Sequence, residues 1–144
     1  MKAVYPTIFT QTENAVLVEV LDMEILTEGK NKLDAIEMAR DAIGLKGITL
    51  EDMGSEIPKA SELENIELSL GTFVQEGFSY ISLVDIDFEE YRRRVDNKAV
   101  RRNVTLPNWL NREAEKANIN VSRVLQEALI SKLNDIGSER EAVL

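Results

Sequence analysis

Apolar residues near the N-terminus fall into three short segments with the spacing of β-strands. We predict a first strand over residues 4–9, a second over residues 15–21 and a third over residues 24–28, with a hairpin turn at residues 10–14. Strands this close in sequence pair as an antiparallel meander. Pro6 has no amide N–H to donate, which favours an edge position for the first strand.

The pattern then changes to helical spacing. Asn31 is a suitable N-cap, and Gly44 is a suitable end for the helix. Between them lies one apolar stripe, formed by Leu33, Ile36, Ala39 and Ile43. We expect this helix to cover one face of the sheet. Thr49 with Asp52 predicts a second, very short helix that ends at Gly54.

The following segment contains one further strand. Residues 57–61 are expected to form a loop, and residues 62–77 fit neither the strand nor the helix pattern. The apolar run over residues 78–86 predicts a strand added to the sheet. Asp87 then begins a short helix that carries the basic run at residues 92–94. Because acidic residues flank this run, we interpret it as a solvated helix face, with an auxiliary phosphate contact as the alternative.

Residues 100–106 alternate polar and apolar residues, as a strand with two different faces does. Val104 and Leu106 share one face of such a strand. The opposite face carries Arg101, Asn103 and Thr105. Two predicted helices follow, over residues 107–117 and residues 121–134. The order is ribbon, helix, helix.

These elements predict an α+β chain with two domains. The N-terminal domain, residues 1–95, combines an antiparallel sheet with a covering helix. Residues 96–99 form a hinge, residues 100–136 form a ribbon-helix-helix domain, and residues 137–144 form a flexible tail.

The predicted ribbon needs a second copy, because one strand leaves its hydrogen-bonding edge uncovered. Two copies paired antiparallel about a two-fold axis fit the major groove of DNA, where Arg101 suits guanine, Asn103 suits adenine and Thr105 offers a hydroxyl and a methyl group. Ser122 and Arg123 begin the second helix, where free N–H groups and the helix dipole attract phosphate. The alternative is that this segment only fills a core.

Charge separates the two parts of the chain. Residues 1–97 contain nine basic and twenty acidic residues, a net charge of −11, whereas residues 98–144 have a net charge of +2. Residues 98–134 alone have a net charge of +4. Since an acidic domain repels nucleic acid and attracts basic proteins, we expect the N-terminal part to bind a basic protein and the C-terminal part to bind DNA.

Composition argues against most enzyme classes. The chain has no cysteine and no histidine, which removes disulfides, thiolate chemistry, the usual zinc sites and the common general base. The alternative is a magnesium-dependent nuclease built on carboxylates. Its candidates are Glu19, Asp22, Glu24 and Glu28. We expect no catalysis, cofactor or metal and, since no leader or membrane-length apolar run is evident, a cytoplasmic protein without a membrane partner.

The sequence resembles the HicB antitoxins over nearly its whole length. In the C-terminal part the resemblance is carried by residues 96–102 (DNKAVRR), 106–111 (LPNWLN) and 118–129 (NINVSRVLQEAL). In the N-terminal part it is carried by residues 5–9 (YPTIF), by the helix after Asn31 and by the Ile57-Pro58 loop.

The resemblance implies a two-part antitoxin. A partial ribonuclease-H-like N-terminal domain would occlude a small basic HicA toxin that cuts RNA with a histidine, and a dimeric C-terminal domain would repress the operon by binding operator DNA. By position, the resemblance assigns base contacts to Arg101, Asn103 and Thr105, and phosphate contacts to Asn120, Ser122 and Arg123. Toxin contacts are implied near the turn Asp22-Met23-Glu24, where many relatives have a glycine. A stand-alone ribbon-helix-helix repressor with an N-terminal sensor domain is the alternative.

Overall fold

The computed structural model describes residues 1–143, with side chains to residue 140, and divides the chain into two compact units. The sheet unit is Met1–Lys98, and the helix-pair unit begins at Ala99. The boundary lies within residues 96–99, the predicted hinge. Each unit is described by itself below.

The sheet unit contains a four-stranded antiparallel sheet. Its strands are β1 (Lys2–Gln11), β2 (Val16–Val20), β3 (Ile25–Gly29) and β4 (Phe78–Asp87). Their order across the sheet is β3-β2-β1-β4, and every neighbouring pair is antiparallel. The predicted meander and the predicted fourth strand are confirmed.

Pro6 lies in an inner strand, so its predicted edge position is wrong. β1 pairs with β4 along its whole length but with β2 only from Ile8 onward. The Phe88 N–H donates to the Met1 carbonyl at 3.0 Å, and successive residues of an antiparallel ladder bond to alternate sides. Even-numbered residues of β1 therefore face β2. The missing N–H of Pro6 points beyond the end of β2, where it removes no ladder hydrogen bond.

Two helices pack on this sheet. α1 is Lys32–Asp52 and α2 is Phe88–Val95. Both predicted caps are confirmed, because Asn31 Oδ1 accepts a hydrogen bond from the Asp34 N–H at 2.9 Å and the Asp87 carboxylate accepts from the first turn of α2. Residues 62–77, which fit neither sequence pattern, contain three single 3-10 turns joined by short non-helical segments.

α1 does not end at Gly44, and no separate helix begins near Thr49. Gly44 and Gly47 both lie inside α1, on its buried side. A Cβ built on Gly44 would meet the Tyr91 ring at 2.5 Å, and one built on Gly47 would meet the Phe88 ring at 2.1 Å. Because these two glycines have no side chain, two aromatic rings of α2 can pack against α1. α1 ends at Asp52, shortly before Gly54, whose backbone is left-handed (φ 77°).

The main core lies between α1 and one face of the sheet. β1 contributes Tyr5 and Phe9, β4 contributes Val84 and Ile86, and every second residue of β2 is fully buried. Three residues of α1 complete the layer: Ala35, Ala39 and Ile43. The prediction that this helix covers one face of the sheet is confirmed.

A long connection covers part of the opposite face. Ile8 is buried there, with its side chain next to Gly71. The carboxylate of Glu19, which is only 7% exposed, accepts hydrogen bonds from the Thr72 N–H at 2.8 Å and the Thr72 hydroxyl at 2.6 Å. On the α1 face, the Tyr5 hydroxyl donates to the Pro58 carbonyl at 2.6 Å, and burial, with the nearby Asp22 carboxylate, raises the pKa of Tyr5.

The helix-pair unit contains α3 (Asn108–Lys116) and α4 (Val121–Val143). Asn118 links them in the left-handed conformation (φ 54°), and Asn120 Oδ1 caps α4 by accepting from the Arg123 N–H at 3.2 Å. Residues 96–107 form no strand in this single chain. A strand requires a hydrogen-bonded neighbour, so the predicted ribbon stays a prediction.

α4 is longer than the sequence pattern predicts. Residues 137–143, expected to be a loose tail, continue the helix, and residue 144 lies outside the described residues. Gly137 does not end α4. A glycine inside a helix costs only about 1 kcal/mol, which the helix-forming residues after it offset.

The two kinds of helical glycine give a testable contrast. Gly47→Ala should lower the free energy of unfolding of the sheet unit by about 1–3 kcal/mol, because the new methyl group overlaps the Phe88 ring. Gly137→Ala meets no atom within 4 Å, so it should stabilise α4 by about 0.5–1 kcal/mol. Urea unfolding followed by circular dichroism checks both. Adding Phe88→Leu should recover part of the Gly47→Ala loss; a loss that Phe88→Leu leaves unchanged would contradict the ring-gap explanation.

Candidate functional site

The three predicted base-contacting residues lie on one exposed segment. Arg101, Asn103 and Thr105 are all exposed, in the stretch before α3. With the side chains of residues 1–140, neither Arg101 nor its neighbour Arg102 forms a salt bridge. Their guanidinium groups are therefore available to an anionic partner.

The three predicted phosphate-contacting residues lie together at the start of α4. Asn120 uses its side chain to cap the Arg123 N–H, which leaves the N–H groups of Val121 and Ser122 at the helix end. The Arg123 guanidinium pairs with Glu127 at 3.1 Å, one turn along the helix. An exposed pair of this kind contributes little, so it does not hold Arg123 away from a ligand.

Apolar side chains of the helix pair are left uncovered in one chain. Among residues 121–140 of α4, only Val121 and Leu125 are partly buried. Trp109 of α3 is 67% exposed and Leu133 of α4 is 62% exposed. Other exposed apolar residues of the two helices are Leu110, Val124, Leu129, Ile130 and Ile136. We call this set, with Trp109 and Leu133, the apolar surface of the helix pair.

The turn at residues 22–24 has a structural role for two of its three residues. Met23 is 1% exposed and lies within the main core, which does not favour a toxin contact by its side chain, so that assignment stays a prediction. Asp22 accepts hydrogen bonds from the backbone N–H and the hydroxyl of Ser61, which hold the long connection to the sheet. Glu24 is exposed and left-handed (φ 51°), the conformation that glycine favours. Only Glu24 of the three is free to meet a partner.

The four carboxylates considered for a metal site do not gather. Glu19 is bound to Thr72, Asp22 is bound to Ser61, Glu24 lies at the turn before β3, and Glu28 lies within β3. Among residues 1–140, whose side chains are described, no group of three or more acidic side chains is arranged to hold a metal ion. The nuclease alternative therefore gains no support from this arrangement.

The basic run at residues 92–94 is only partly a solvated face. Arg92 bonds to the Asp52 carboxylate at 3.0 Å and lies 3.7 Å from Glu51, at the end of α1. Arg94 lies over the Tyr91 ring, 5.4 Å from its centroid. Burial and a hydrogen bond to Asp41 raise the pKa of Tyr91 to about 12. Arg93 alone is exposed without such a contact, so an auxiliary phosphate contact stays a prediction for that residue.

One surface of the sheet unit was not predicted from the sequence. The connection over residues 53–77, between α1 and β4, carries five acidic residues and one lysine. It also exposes Leu63 and Leu70, and Phe78 lies exposed directly after it. The excess of acidic residues was the available signal, but without a periodic pattern nothing indicated which apolar residues would face solvent.

No family model matches the sequence, and no curated protein matches it. The structure is similar to a chain of a toxin-antitoxin complex from Streptococcus pneumoniae, with 23% identity, a TM-score of 0.58, and coverage of 92% of this chain and 99% of that one. It is also similar to the Burkholderia pseudomallei antitoxin HicB, with 23% identity, a TM-score of 0.49, and coverage of 92% and 98%. At 23% identity, the pneumococcal likeness shows a shared α+β fold alone.

Among the residues that the structure describes, no helix is both long and apolar enough to span a membrane.

The turn at residues 22–24 can be tested with two matched charge removals. Asp22→Asn should lower the free energy of unfolding of the sheet unit by about 1 kcal/mol, because its amide nitrogen cannot accept the Ser61 donors. It should also speed proteolytic cleavage within residues 55–62. Glu24→Gln removes the same charge from an exposed side chain and should change neither. Equal effects of the two substitutions in urea unfolding and limited proteolysis would contradict the assigned role of Asp22.

Proposed function

We propose that this protein is a dimeric antitoxin that neutralises a small basic HicA-type ribonuclease toxin by occlusion and represses its own operon through operator DNA. The observation that carries the proposal is the division of charge between the two units. Nine basic and twenty acidic residues precede Lys98, whereas residues 98–134 have a net charge of +4. One chain thus offers an acidic surface to a basic protein and a basic segment to nucleic acid.

The sheet unit is the part that would bind the toxin. A protein that binds RNA presents a basic face, and an acidic surface with exposed apolar residues is complementary to such a face. Occlusion needs no chemistry from this chain, which agrees with its lack of histidine and cysteine. The pneumococcal complex with which it shares a fold is itself described as a toxin-antitoxin complex.

The helix-pair unit would form the dimer. A lone protein rarely leaves a cluster of exposed apolar residues such as the apolar surface of the helix pair in water. Burial on a second copy removes that surface from solvent and, in the same step, gives residues 100–106 a strand partner. The two requirements have one solution, a two-fold dimer with a shared ribbon.

The ribbon would then enter the major groove. Pairing of two copies presents Arg101, Asn103 and Thr105 twice, side by side, as direct contacts to base edges. The start of α4 would anchor on the backbone, because Ser122 and Arg123 offer free donors and a positive charge to phosphate. The ribbon would supply sequence specificity, and α4 would supply general affinity.

Co-expression tests the proposal most directly. The short basic reading frame expected beside this gene, expressed alone, should stop growth, and this protein should restore it. Absence of such a frame, together with binding of a small molecule to the sheet unit, would favour the sensor-domain repressor instead. Cleavage of RNA by this chain alone in magnesium would favour the nuclease.

Base and phosphate contacts can be separated by two substitutions in the helix-pair unit. Asn103→Ala should weaken operator binding by about 1–3 kcal/mol and relax the preference at one base pair. Arg123→Ala should weaken binding to all DNA sequences and reduce the salt slope by about one. Fluorescence anisotropy at several salt concentrations measures both. Toxin neutralisation should persist in both variants, and its loss with Asn103→Ala would contradict the proposed division of labour.

The proposed dimer can be tested with two variants of α4, each of which places one negative charge on a different side of the helix. Leu133→Asp introduces a carboxylate into the apolar surface, so it should convert the dimer to a monomer and abolish operator binding. Asn134→Asp adds the same charge at the next residue, on the polar side of the helix, and should leave both intact. Analytical ultracentrifugation at micromolar concentration measures the mass. A wild-type monomer would contradict the proposed dimer.

A further inference from the structure

β4 is a ten-residue strand at the edge of the sheet. It pairs with β1 along its whole length, and within residues 1–143 no strand lies on its other side. Edge strands of this length present a row of unpaired N–H and C=O groups to other chains. Soluble proteins usually protect such an edge with lysine, proline, glycine bulges or a covering segment. The strand sequence FSYISLVDID contains no lysine, proline or glycine.

The direction of the free groups follows from two hydrogen bonds. The Phe88 N–H donates to the Met1 carbonyl, so the backbone N–H and C=O groups of even-numbered residues of β4 point toward β1. The Asp85 carbonyl instead accepts from Arg40 Nε at 3.0 Å, so odd-numbered residues face outward. The backbone groups of Ser79, Ile81 and Leu83 therefore point away from the sheet.

Arg40 protects only one end of this edge. Its guanidinium binds both the carbonyl and the carboxylate of Asp85, the latter at 2.9 Å. That hydrogen bond lowers the pKa of Asp85, so the pair stays ionised to a lower pH than an unpaired aspartate would. The described part of the chain places no comparable side chain over residues 79–83, so the central part of the edge stays open.

Exposed apolar side chains lie next to the open edge. Leu83 is 55% exposed, and Val4, on the neighbouring strand and the same face, is 47% exposed. Phe78 at the start of β4 is 73% exposed. An incoming strand that satisfies the free backbone groups would also lie beside Leu83 and Phe78 of β4, which is the usual combination in strand addition.

We propose that residues 79–83 of β4 bind an extended segment of the basic toxin, which adds a fifth strand to the sheet. The inference rests on the proposed function and names the docking surface for it. Electrostatics favours a segment of the basic toxin over a second copy of this chain as the added strand. Two sheet units joined at β4 would each bring a net charge of −11 from residues 1–97, whereas a basic partner is attracted to Asp87 and Glu90 at the end of the strand.

The test separates the backbone from the side chain at one position. Leu83→Pro removes an outward N–H without removing a bond to β1, and Leu83→Ala keeps that N–H while shortening the side chain. Leu26→Pro is the matched control, because Leu26 is an exposed residue of the opposite edge strand β3. The ladder alternation directs its N–H outward as well.

Each variant is prepared as the full chain. The probe is the product of the adjacent basic reading frame, with its histidine replaced by alanine, and isothermal titration calorimetry gives Kd. We expect Leu83→Pro to raise Kd by about tenfold or more, Leu83→Ala to raise it less, and Leu26→Pro to leave it unchanged. In the wild-type complex, hydrogen exchange should slow at the amides of Ser79, Ile81 and Leu83, which gives a measurement independent of any variant's folding.

Several outcomes would overturn the inference. Unchanged affinity of a folded Leu83→Pro variant, or fast exchange at residues 79–83 in the complex, would exclude this edge while leaving the antitoxin proposal intact. Equal losses with Leu83→Pro and Leu83→Ala would indicate a side-chain contact without strand addition. If Leu83→Pro instead halved the mass of the isolated protein, a second copy would be the occupant. No complex with the wild-type chain would overturn the proposed function and this inference together.

Discussion

Apolar surface that one chain cannot bury is the constraint on which the helix-pair unit depends. α3 and α4 bury little of each other: Val121 and Leu125 are partly covered, but Trp109 and Leu133 remain more than half exposed. Two helices with so little mutual contact are marginal in water. Residues 96–107 are likewise without a strand partner. A second copy would supply both missing contacts at once, so folding, dimerisation and formation of the DNA-contacting ribbon would be one linked event under the proposed function.

The sheet unit buries its apolar core within one chain. Most of its elements were predictable from the sequence because their signals are local. Strand spacing, the Asn31 cap and the Asp87 cap are local signals, and the structure agrees with all of them. The errors came from contacts between distant residues. Gly44 resembles a helix end in sequence, but it makes room for the Tyr91 ring, 47 positions along the chain. Pro6 resembles an edge residue, but it lies where β2 has already ended.

The candidate sites also differ in whether a local sequence pattern or long-range packing determines them. Arg101, Asn103 and Thr105 follow from a period of two. All three are exposed, but so is Val104 of the opposite face, so their role stays a prediction. The turn at residues 22–24 was placed by resemblance to a family, which indicates a position but not the direction of a side chain. Met23 proved to belong to the core, and Asp22 proved to hold Ser61. The open edge of β4 had no sequence signal, because strand order is set by packing rather than by any local motif.

Joining the two units in one chain has an electrostatic consequence. Under the proposed function, DNA binding by the helix-pair unit would carry the acidic residues of the sheet unit toward a polyanion, and their repulsion would oppose that binding. A basic partner on the sheet unit would neutralise part of this charge. Because linkage is reciprocal, DNA would then strengthen partner binding by the same factor that the partner strengthens DNA binding. Screening limits the effect to charges within about 8 Å at physiological salt, so its size depends on how close the hinge at residues 96–99 lets the acidic surface approach the duplex.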